Sequence, residues 1–546
     1  MELRPYQSEA IASAMSAWHR HRSLLMVMAT GLGKTVTFAH IAKAVIERKR
    51  RVLVVAHTQE LVKQAVRALE RVCACEVGVE MAEEASPEHS LVMLPPPIVV
   101  GTVQTLTAKR GKGLRVHKFR PEDFGLVIFD EAHHSVAASW RKVAAWFDQS
   151  DRVKRLGVTA TPDRTDGSAL GALYDECVFD YGIRDGVLDG WLCPVRQSVV
   201  WVEDLDLSTI RTTGGDLNAG DLAVVLEREA VLHGMVSATI QIAKGRRTLC
   251  FCATVETARH AAEILDRHEP GSAAIVSGET PPEQRREILD GFKAGRYRYL
   301  CNCAVLTEGF DDPGIEVISM MRPTKSRSLY TQIVGRGTRT LPGVIDGLAT
   351  PAERTAAISS SSKPSMLVID FCGNAGRHKL VHAGDVLGGD ENASTDRLEA
   401  IDAMRRDGER DAKAGEFVER DVMAEIDEAE REIERKREAE KHRALRALAR
   451  FTVQDEDPYG YGSGAIATER RAVTLADPPS EKQVSFAFKL GIKNADRYGR
   501  RQLAAIIDKT VVPAWLRRRV AQDGISLPDT ATMRDLGKAK RERGMR

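Results

Sequence analysis

The sequence predicts an α/β protein of two tandem parallel-sheet lobes, followed by a charged helical segment and a small helical C-terminal module. Three observations carry this. Short β-branched runs alternate with helical stretches over residues 1–198, the alternation recurs over 236–390, and beyond 397 apolar runs give way to charge. Strands that alternate with helices imply βαβ units and a parallel sheet. A chain of 546 residues, 43% hydrophobic, has room for several such cores, at roughly 100 to 200 residues per domain.

In the first lobe the strands are expected at 24–28, 52–56, 98–101, 126–129 and 155–158. The second lobe has them at 248–253, 273–276, 299–304, 317–320 and 366–370. Residues 199–235, with the polar, Gly-rich stretch 204–220, read as the inter-lobe connector. Residues 350–364, with four serines in a row, read as a surface loop. From 397 to 450, 30 of 54 residues are charged, and the apolar stripe Phe417, Val422, Ile426, Ile433 breaks off. A sustained coiled coil needs that seam to continue, so a long solvated helix is expected, interrupted near Gly408 and Gly415. DEDPYGYGSG at 455–464 lies in a linker, 451–477. The terminal module, 478–546, opens with Ser480 as a helix N-cap before Phe486 and Leu490. Gly491 ends that helix, and another starts at about 500.

No stretch approaches the roughly 18 consecutive apolar residues of a membrane span, and residues 1–6 carry no apolar signal core. The expectation is a cytoplasmic protein, nucleoid-associated in a bacterial or phage setting. Nine cysteines, six of them in C-x-C pairs, fit free thiols in a reducing compartment; the tight pairing suits strand cores better than zinc, and no zinc is expected. The net charge of +2 hides an asymmetry: residues 468–546 hold 18 Lys+Arg and 9 Asp+Glu, so the preceding residues sum to −7. A basic end with Trp515 beside Arg517, Arg518 and Arg519 is a candidate polyanion contact, and ordinary helix-surface arginines explain it equally well.

Three motifs carry chemistry. After the first strand comes Thr30-Gly31-Leu32-Gly33-Lys34-Thr35, opening a helix. Gly31 and Gly33 let the backbone curl so that N–H groups surround phosphates, with Lys34 on the β/γ oxygens and the Thr35 hydroxyl on Mg²⁺. Met28 stands where the full phosphate-loop pattern has its first glycine. After the strand at 126–129 come Asp130 and Glu131, one suited to hold Mg²⁺ and the other to polarise water. In the second lobe, a helix through Gln332, Arg336 and Arg339 would place all three on one face, where guanidiniums can stabilise charge on a transferring phosphoryl group.

These motifs, in this order, resemble the superfamily 2 helicases, from Leu3 to about Arg339. The resemblance implies two RecA-like lobes with ATP and Mg²⁺ in the cleft. It places Gln7, with Arg4, at the base, in Leu3-Arg4-Pro5-Tyr6-Gln7. It assigns His57, Thr58 and Gln59, then Thr102, Gln104 and Thr105, to nucleic-acid backbone. Thr159, Ala160 and Thr161 are implied to couple hydrolysis to lobe movement. In the second lobe Thr254, Ser277, Gly278 and Thr307 are implied nucleic-acid contacts, and Gly309 and Asp311 nucleotide contacts. The DEAHH motif and R-P-T-x-S at 322–326 are similar to the XPB/RadD-like branch. That branch's cysteine-rich zinc segment has no counterpart, since only Cys372 lies beyond residue 303. The resemblance implies an ATP-dependent helicase or translocase on single-stranded or branched DNA, with a protein partner through the terminal module as a further candidate. An RNA helicase of the same fold, and a recruitment protein whose ATP site only switches its grip, are the alternatives.

Overall fold

The computed structural model describes residues 3–82, 95–111, 113–161, 170–376, 378–389, 393–453, 479–490, 492, 495, 500–513, 516–517, 520–521, 525, 527–528 and 530–542. The chain divides into two compact units, Met1–Arg446 and Ala447–Arg546.

The larger unit holds two seven-stranded sheets. In chain order the strands of the first are β1 (Ser23–Met28), β2 (Arg51–Ala56), β3 (Val77–Glu80) and β4 (Ile98–Thr102), then, beyond a two-stranded hairpin of β5 (Lys109–Arg110) and β6 (Gly113–Leu114), β7 (Phe124–Asp130), β8 (Lys154–Thr159) and β9 (Glu176–Tyr181). Their spatial order is β3-β4-β2-β7-β8-β1-β9, all parallel. The second lobe contributes β10 (Val195–Asp206), a hairpin of β11 (Thr212–Thr213) and β12 (Asp216–Leu217), then β13 (Thr248–Phe251), β14 (Ala273–Val276), β15 (Tyr299–Asn302), β16 (Val317–Met320), β17 (Met366–Asn374) and β18 (Arg420–Asp421). Its sheet order is β14-β15-β13-β16-β17-β10-β18, parallel except for β18.

Strands covered by helices on both faces read as unbroken apolar runs, which is why LLMVM and VLVVA were legible. All six residues of β1 and of β2 are buried. Each Val, Leu or Ile side chain so buried is stabilised by about 1.5–3 kcal/mol relative to exposure. In a parallel sheet the strand ends that carry chemistry share one edge. Along the first sheet that edge carries, in spatial order, Thr102 after β4, His57 after β2, Asp130 ending β7, Thr159 ending β8 and the Gly31–Gly33 turn after β1.

Four expectations are corrected. Residues 199–235 are not a connector: β10 pairs with β17 deep in the second sheet, and helices Ala219–Leu226 and Glu229–Ala243 pack on it. The strand escaped notice because polar Gln197 and Ser198 are buried inside it, with Gln197 Nε2 donating to Asp370 at 2.5 Å. The lobes instead join at about 190–194. The loop expected at 350–364 contains a helix, Pro351–Ser359, whose Thr350 cap and Glu353 form a reciprocal capping box, and Lys363 at its far end is buried. The charged segment is two helices, Thr395–Lys413 and Val422–Val453. The first runs through Gly408 unbroken, and the missing side chain lets it lie close on Val199 of β10. It is not solvated all round: Arg397 lies buried, paired with Asp427 and Glu430 of the second helix. The short or partly exposed strands β3, β9 and β18 complete what periodicity alone did not show.

In the smaller unit, helix Glu481–Lys489 is capped by Ser480, whose Oγ accepts from the Gln483 amide at 3.3 Å. Ala487, Ala495 and Leu503 form one small core, and Val512, Val520, Ile525 and Leu536 another. The linker residues 455–464, Gly491, Trp515, Arg518, Arg519 and 543–546 lie outside the described residues. Among the described residues no helix is long and apolar enough to cross a membrane.

Candidate functional site

The helix Lys34–Ile46 starts directly at Lys34, with Gly33 as its N-cap in the left-handed region at φ +80° and Gly31 at +91°. Both glycines are required sterically. A Cβ on Gly33 would stand 2.4 Å from Gln7 Nε2, and one on Gly31 would stand 3.0 Å from Arg339 Cγ. Gly33→Ala therefore combines a clash with about 1–2 kcal/mol of backbone strain. It should weaken binding of an ATP analogue by roughly tenfold or more, read by fluorescence titration; unchanged affinity would show that the turn does not hold the nucleotide.

Over this turn lies the N-terminal helix Pro5–Ala17. Tyr6 Oη and Gln7 Nε2 both donate to the Leu32 carbonyl, at 2.9 and 3.1 Å, and Gln7 Oε1 accepts from the Arg4 amide at 3.0 Å. Tyr6 stacks on Tyr181 with ring centroids 4.8 Å apart, and Trp191 lies between the guanidiniums of Arg4 and Arg354, at 4.7 and 3.7 Å. Gln7 thus lies against the Gly31–Gly33 turn, with Arg4 beside it, while the Tyr6–Tyr181–Trp191 aromatic wall comes from no motif beyond Tyr6.

Lys34 Nζ donates to Glu131 Oε1 at 2.9 Å, with both side chains nearly covered. Glu131 follows β7 at φ +54°, a conformation that turns its carboxylate toward the phosphate loop. Burial and the adjacent Glu131 push the Asp130 carboxyl well above the usual carboxylate range. Glu131 is buried too, but Lys34 and His133 outweigh that and hold it low. Glu131 Oε2 is buried without a hydrogen-bond partner. Thr30 lies against Gly335 of the second lobe, where a Cβ would stand 2.8 Å from Thr30 Cβ. Thr35 occupies the first turn of the phosphate-loop helix.

The second lobe meets this site through the helix Arg327–Gly337. Gln332 Nε2 lies 3.4 Å from His133 Nε2, and His133 Nδ1 lies 3.1 Å from Thr159 Oγ1. Thr159 Oγ1 in turn donates to the Thr161 carbonyl at 3.0 Å, and Thr161 Oγ1 pairs with Ser328 Oγ at 2.7 Å. Hydrogen bonds therefore join His133, through Thr159 and Thr161, to Ser328 and directly to Gln332, while His133 Nδ1 lies 3.5 Å from Glu131 Oε2 as a charge contact. Ala160 is buried between the two threonines of that path. Burial, with His134 beside it, lowers the His133 pKa. His134 Nε2 lies 3.3 Å from Glu308 Oε1, and Gln64 Nε2 donates to the Gly309 carbonyl at 2.5 Å, two further ties between lobes. Ser328, Glu308, His134 and Gln64 were not read as site residues, since each is ordinary until the lobes are brought together.

The arginines depart from expectation. The helix ends at Gly337, so Arg339 is not on its face; it lies in the following turn, bridged to Leu192 and ion-paired with Asp311. Glycines 335 and 337 shorten the helix there. Arg336 stays on the helix, buried, and donates to the carbonyls of Thr307 at 3.0 Å and Phe310 at 2.8 Å. The Arg339 side chain lies against Gly31 of the phosphate loop.

Three of the six hydroxyl residues assigned to nucleic acid serve as helix caps. Thr58, Thr102 and Thr254 each accept from a backbone amide three residues on. Thr105 is buried and bonded to Thr102, while Ser277 Oγ accepts from the Glu279 amide and Thr307 Oγ1 donates to the Ala304 carbonyl. Gln59, Gln104 and Gly278 are exposed. His57 stacks on His134 at 4.4 Å, and burial lowers its pKa. His57, Thr58, Thr307 and Gly309 line an inter-lobe cavity of about 340 Å³.

Residues 1–164 match the family model described as type III restriction enzyme, res subunit, and residues 229–340 match the helicase conserved C-terminal domain. IRC3 of Saccharomyces cerevisiae, provisionally named an ATP-dependent helicase, is 31% identical over 354 residues, 62% of this chain and 49% of that protein. The irc3 protein of Schizosaccharomyces pombe, provisionally named a mitochondrial ATP-dependent helicase, is 29% identical over 401 residues, 71% of this chain and 60% of its own. The DNA 3′-5′ helicase XPB of Kineococcus radiotolerans is 28% identical over 342 residues, 61% and 56%. The chain spans about half to three fifths of the length of these curated relatives.

Proposed function

This chain belongs to the superfamily 2 helicases, and on that premise we propose that it hydrolyses ATP to move along or open DNA. The observation that carries the proposal is the composite cleft: the Gly31 turn and the Lys34–Glu131 pair on one lobe, with the Arg339 side chain of the other lobe against Gly31 and the charge of buried Arg336 acting on Glu131. Neither lobe holds a complete site.

The residues present fit Mg-ATP. Two left-handed glycines open a backbone cradle, Lys34 offers a cation at its rim, and buried Glu131 Oε2 accepts no hydrogen bond, with His133 Nδ1 3.5 Å away. Thr35 and Asp130 would hold Mg²⁺, which when bound neutralises charge on the β- and γ-phosphate oxygens. Entering phosphates compete with Glu131 for Lys34, which frees the Glu131 carboxylate to orient the attacking water. Arg339 stabilises the charge that develops on the transferring group. Loss of that charge after hydrolysis weakens the Arg339 contact and lets the lobes part, and the His133–Thr159–Thr161 path carries the change to Gln332 and Ser328.

DNA as the track is supported by the relatives, one of which is named a DNA helicase. Backbone contacts through phosphates imply little sequence preference. The basic terminal unit, with Phe488 exposed on its first helix, is proposed as an auxiliary docking element for nucleic acid or a protein partner.

Steady-state ATP hydrolysis with no nucleic acid, single-stranded DNA, forked DNA and RNA, with Lys34→Ala as control, tests the proposal. Stimulation by DNA well above RNA is expected. Preference for RNA would replace the track, and absence of hydrolysis on every substrate would leave an ATP-switched binding protein. Gln332→Ala should cut DNA-stimulated turnover by about tenfold while sparing nucleotide affinity. Equal loss with and without DNA would show that the contact to His133 does not couple the lobes.

A further inference from the structure

We propose that Lys363 is a positioning residue for ATP hydrolysis: its ammonium pins the turn that carries Arg339 against the phosphate loop. The proposal rests on the ATPase reading above.

Lys363 is 2% exposed, the one lysine among the described residues that is buried. Its Nζ donates to three backbone carbonyls: Pro313 at 2.7 Å, Gly337 at 2.8 Å and Arg339 at 2.8 Å. An ammonium has three N–H donors and no acceptor, so three donors meet three acceptors with none left over. The acceptors belong to separate parts of the site. Pro313 closes the segment that contains Gly309 and Asp311. Gly337 ends the arginine helix, where the last carbonyls lack helical partners and a cation is favoured. Arg339 is the residue whose side chain reaches Gly31.

The remaining bonds of the turn come from the inter-lobe segment. The Cys193 amide donates to the Thr338 carbonyl at 2.6 Å, and Leu192 bridges to Arg339. Lys363 therefore fixes the backbone origin of the Arg339 side chain relative to Asp311, its ion-pair partner. A displacement of about 1 Å at a reacting group can cost about a hundredfold in rate.

Burial lowers the Lys363 pKa to about 8; Cys193, Asp312 and Glu316 act to raise it and Arg247 to lower it. A neutral amine has two N–H donors and a lone pair, so one of the three carbonyls would lose its bond and face that lone pair. Turnover should accordingly fall as pH rises through about 8.

Lys363→Met keeps the length of the side chain and removes every donor. The expected result is a ten- to hundredfold lower kcat for DNA-stimulated hydrolysis, with KM for ATP unchanged and the fall near pH 8 abolished. Lys363→Arg, which stays charged, should recover part of kcat without that limb. If Lys363 acts through Arg339, Lys363→Met should add little to Arg339→Ala in a double-mutant cycle; additive losses would overturn the proposal. Hydrogen–deuterium exchange of the full chain gives a readout independent of hydrolysis. Faster exchange in Lys363→Met confined to peptides covering 310–314 and 337–341 supports the pin, and an unchanged pattern there overturns it. A wild-type protein that hydrolyses no ATP would refute the functional reading, while the exchange comparison still decides the pin.

Discussion

Glu131→Gln is expected to reduce ATP turnover by about 10²- to 10⁴-fold, the range for losing a general base, while leaving the affinity for an ATP analogue intact. The amide keeps the shape of the side chain, and its carbonyl oxygen can still accept from Lys34 at the Oε1 position. What it removes is the negative charge that would orient and accept a proton from water. Because hydrolysis would stop after closure, the variant should also hold single-stranded DNA more tightly in the presence of ATP. Stopped turnover with retained binding, measured by phosphate release and nucleotide titration, would identify Glu131 as the base. A kcat within about tenfold of wild type would move that role elsewhere, with the raised Asp130 as the nearest candidate.

Lys34→Ala is expected to abolish hydrolysis and weaken nucleotide binding, but its second effect is on stability. Lys34 and Glu131 are a nearly buried pair. Removing one partner leaves an uncompensated carboxylate in the interior, a loss of about 3–5 kcal/mol for such pairs. Thermal unfolding should therefore shift downward in Lys34→Ala, and the double variant Lys34→Ala/Glu131→Gln should recover most of the shift without recovering activity. If the single variant unfolds like wild type, the contact between these two groups contributes nothing to the folded state without nucleotide.

Both expectations were accessible from the sequence in part. The glycines, Lys34, Asp130 and Glu131 stand next to unbroken apolar strands, and a buried parallel strand followed by Gly-rich or acidic residues is a local pattern. It survives any tertiary context because the sheet buries the strand and the chemistry falls at its end. His57 after β2, Thr159 at the end of β8 and Thr161 beyond it stand at the same edge, but their roles come from the family resemblance and not from the local pattern. It failed wherever the decisive partner lies far along the chain. Arg339 was placed on a helix that the glycines end two residues earlier. The sequence also does not show that Thr58, Thr102 and Thr254, implied nucleic-acid contacts by resemblance, each satisfy a helix N-terminus that needs an acceptor. Residues 195–206 were read as closing one lobe and opening a connector, because Gln197 and Ser198 look polar until Asp370 and the neighbouring strands surround them.

The sequence alone determined the two-lobe α/β plan and the strand ends at which the Gly-rich turn and the acidic pair stand, since these depend on periodicity and on neighbours within a few positions. Tertiary structure decided how the lobes speak to each other, through His133 with Gln332, Thr161 with Ser328 and Gln64 with Gly309, and within the second lobe it set Lys363 beneath Arg339. The physical reason is that a hydrogen bond between residues 24 to 245 positions apart has no periodicity. A polar side chain acquires such a role only when folding strips its water and supplies one partner at the right distance.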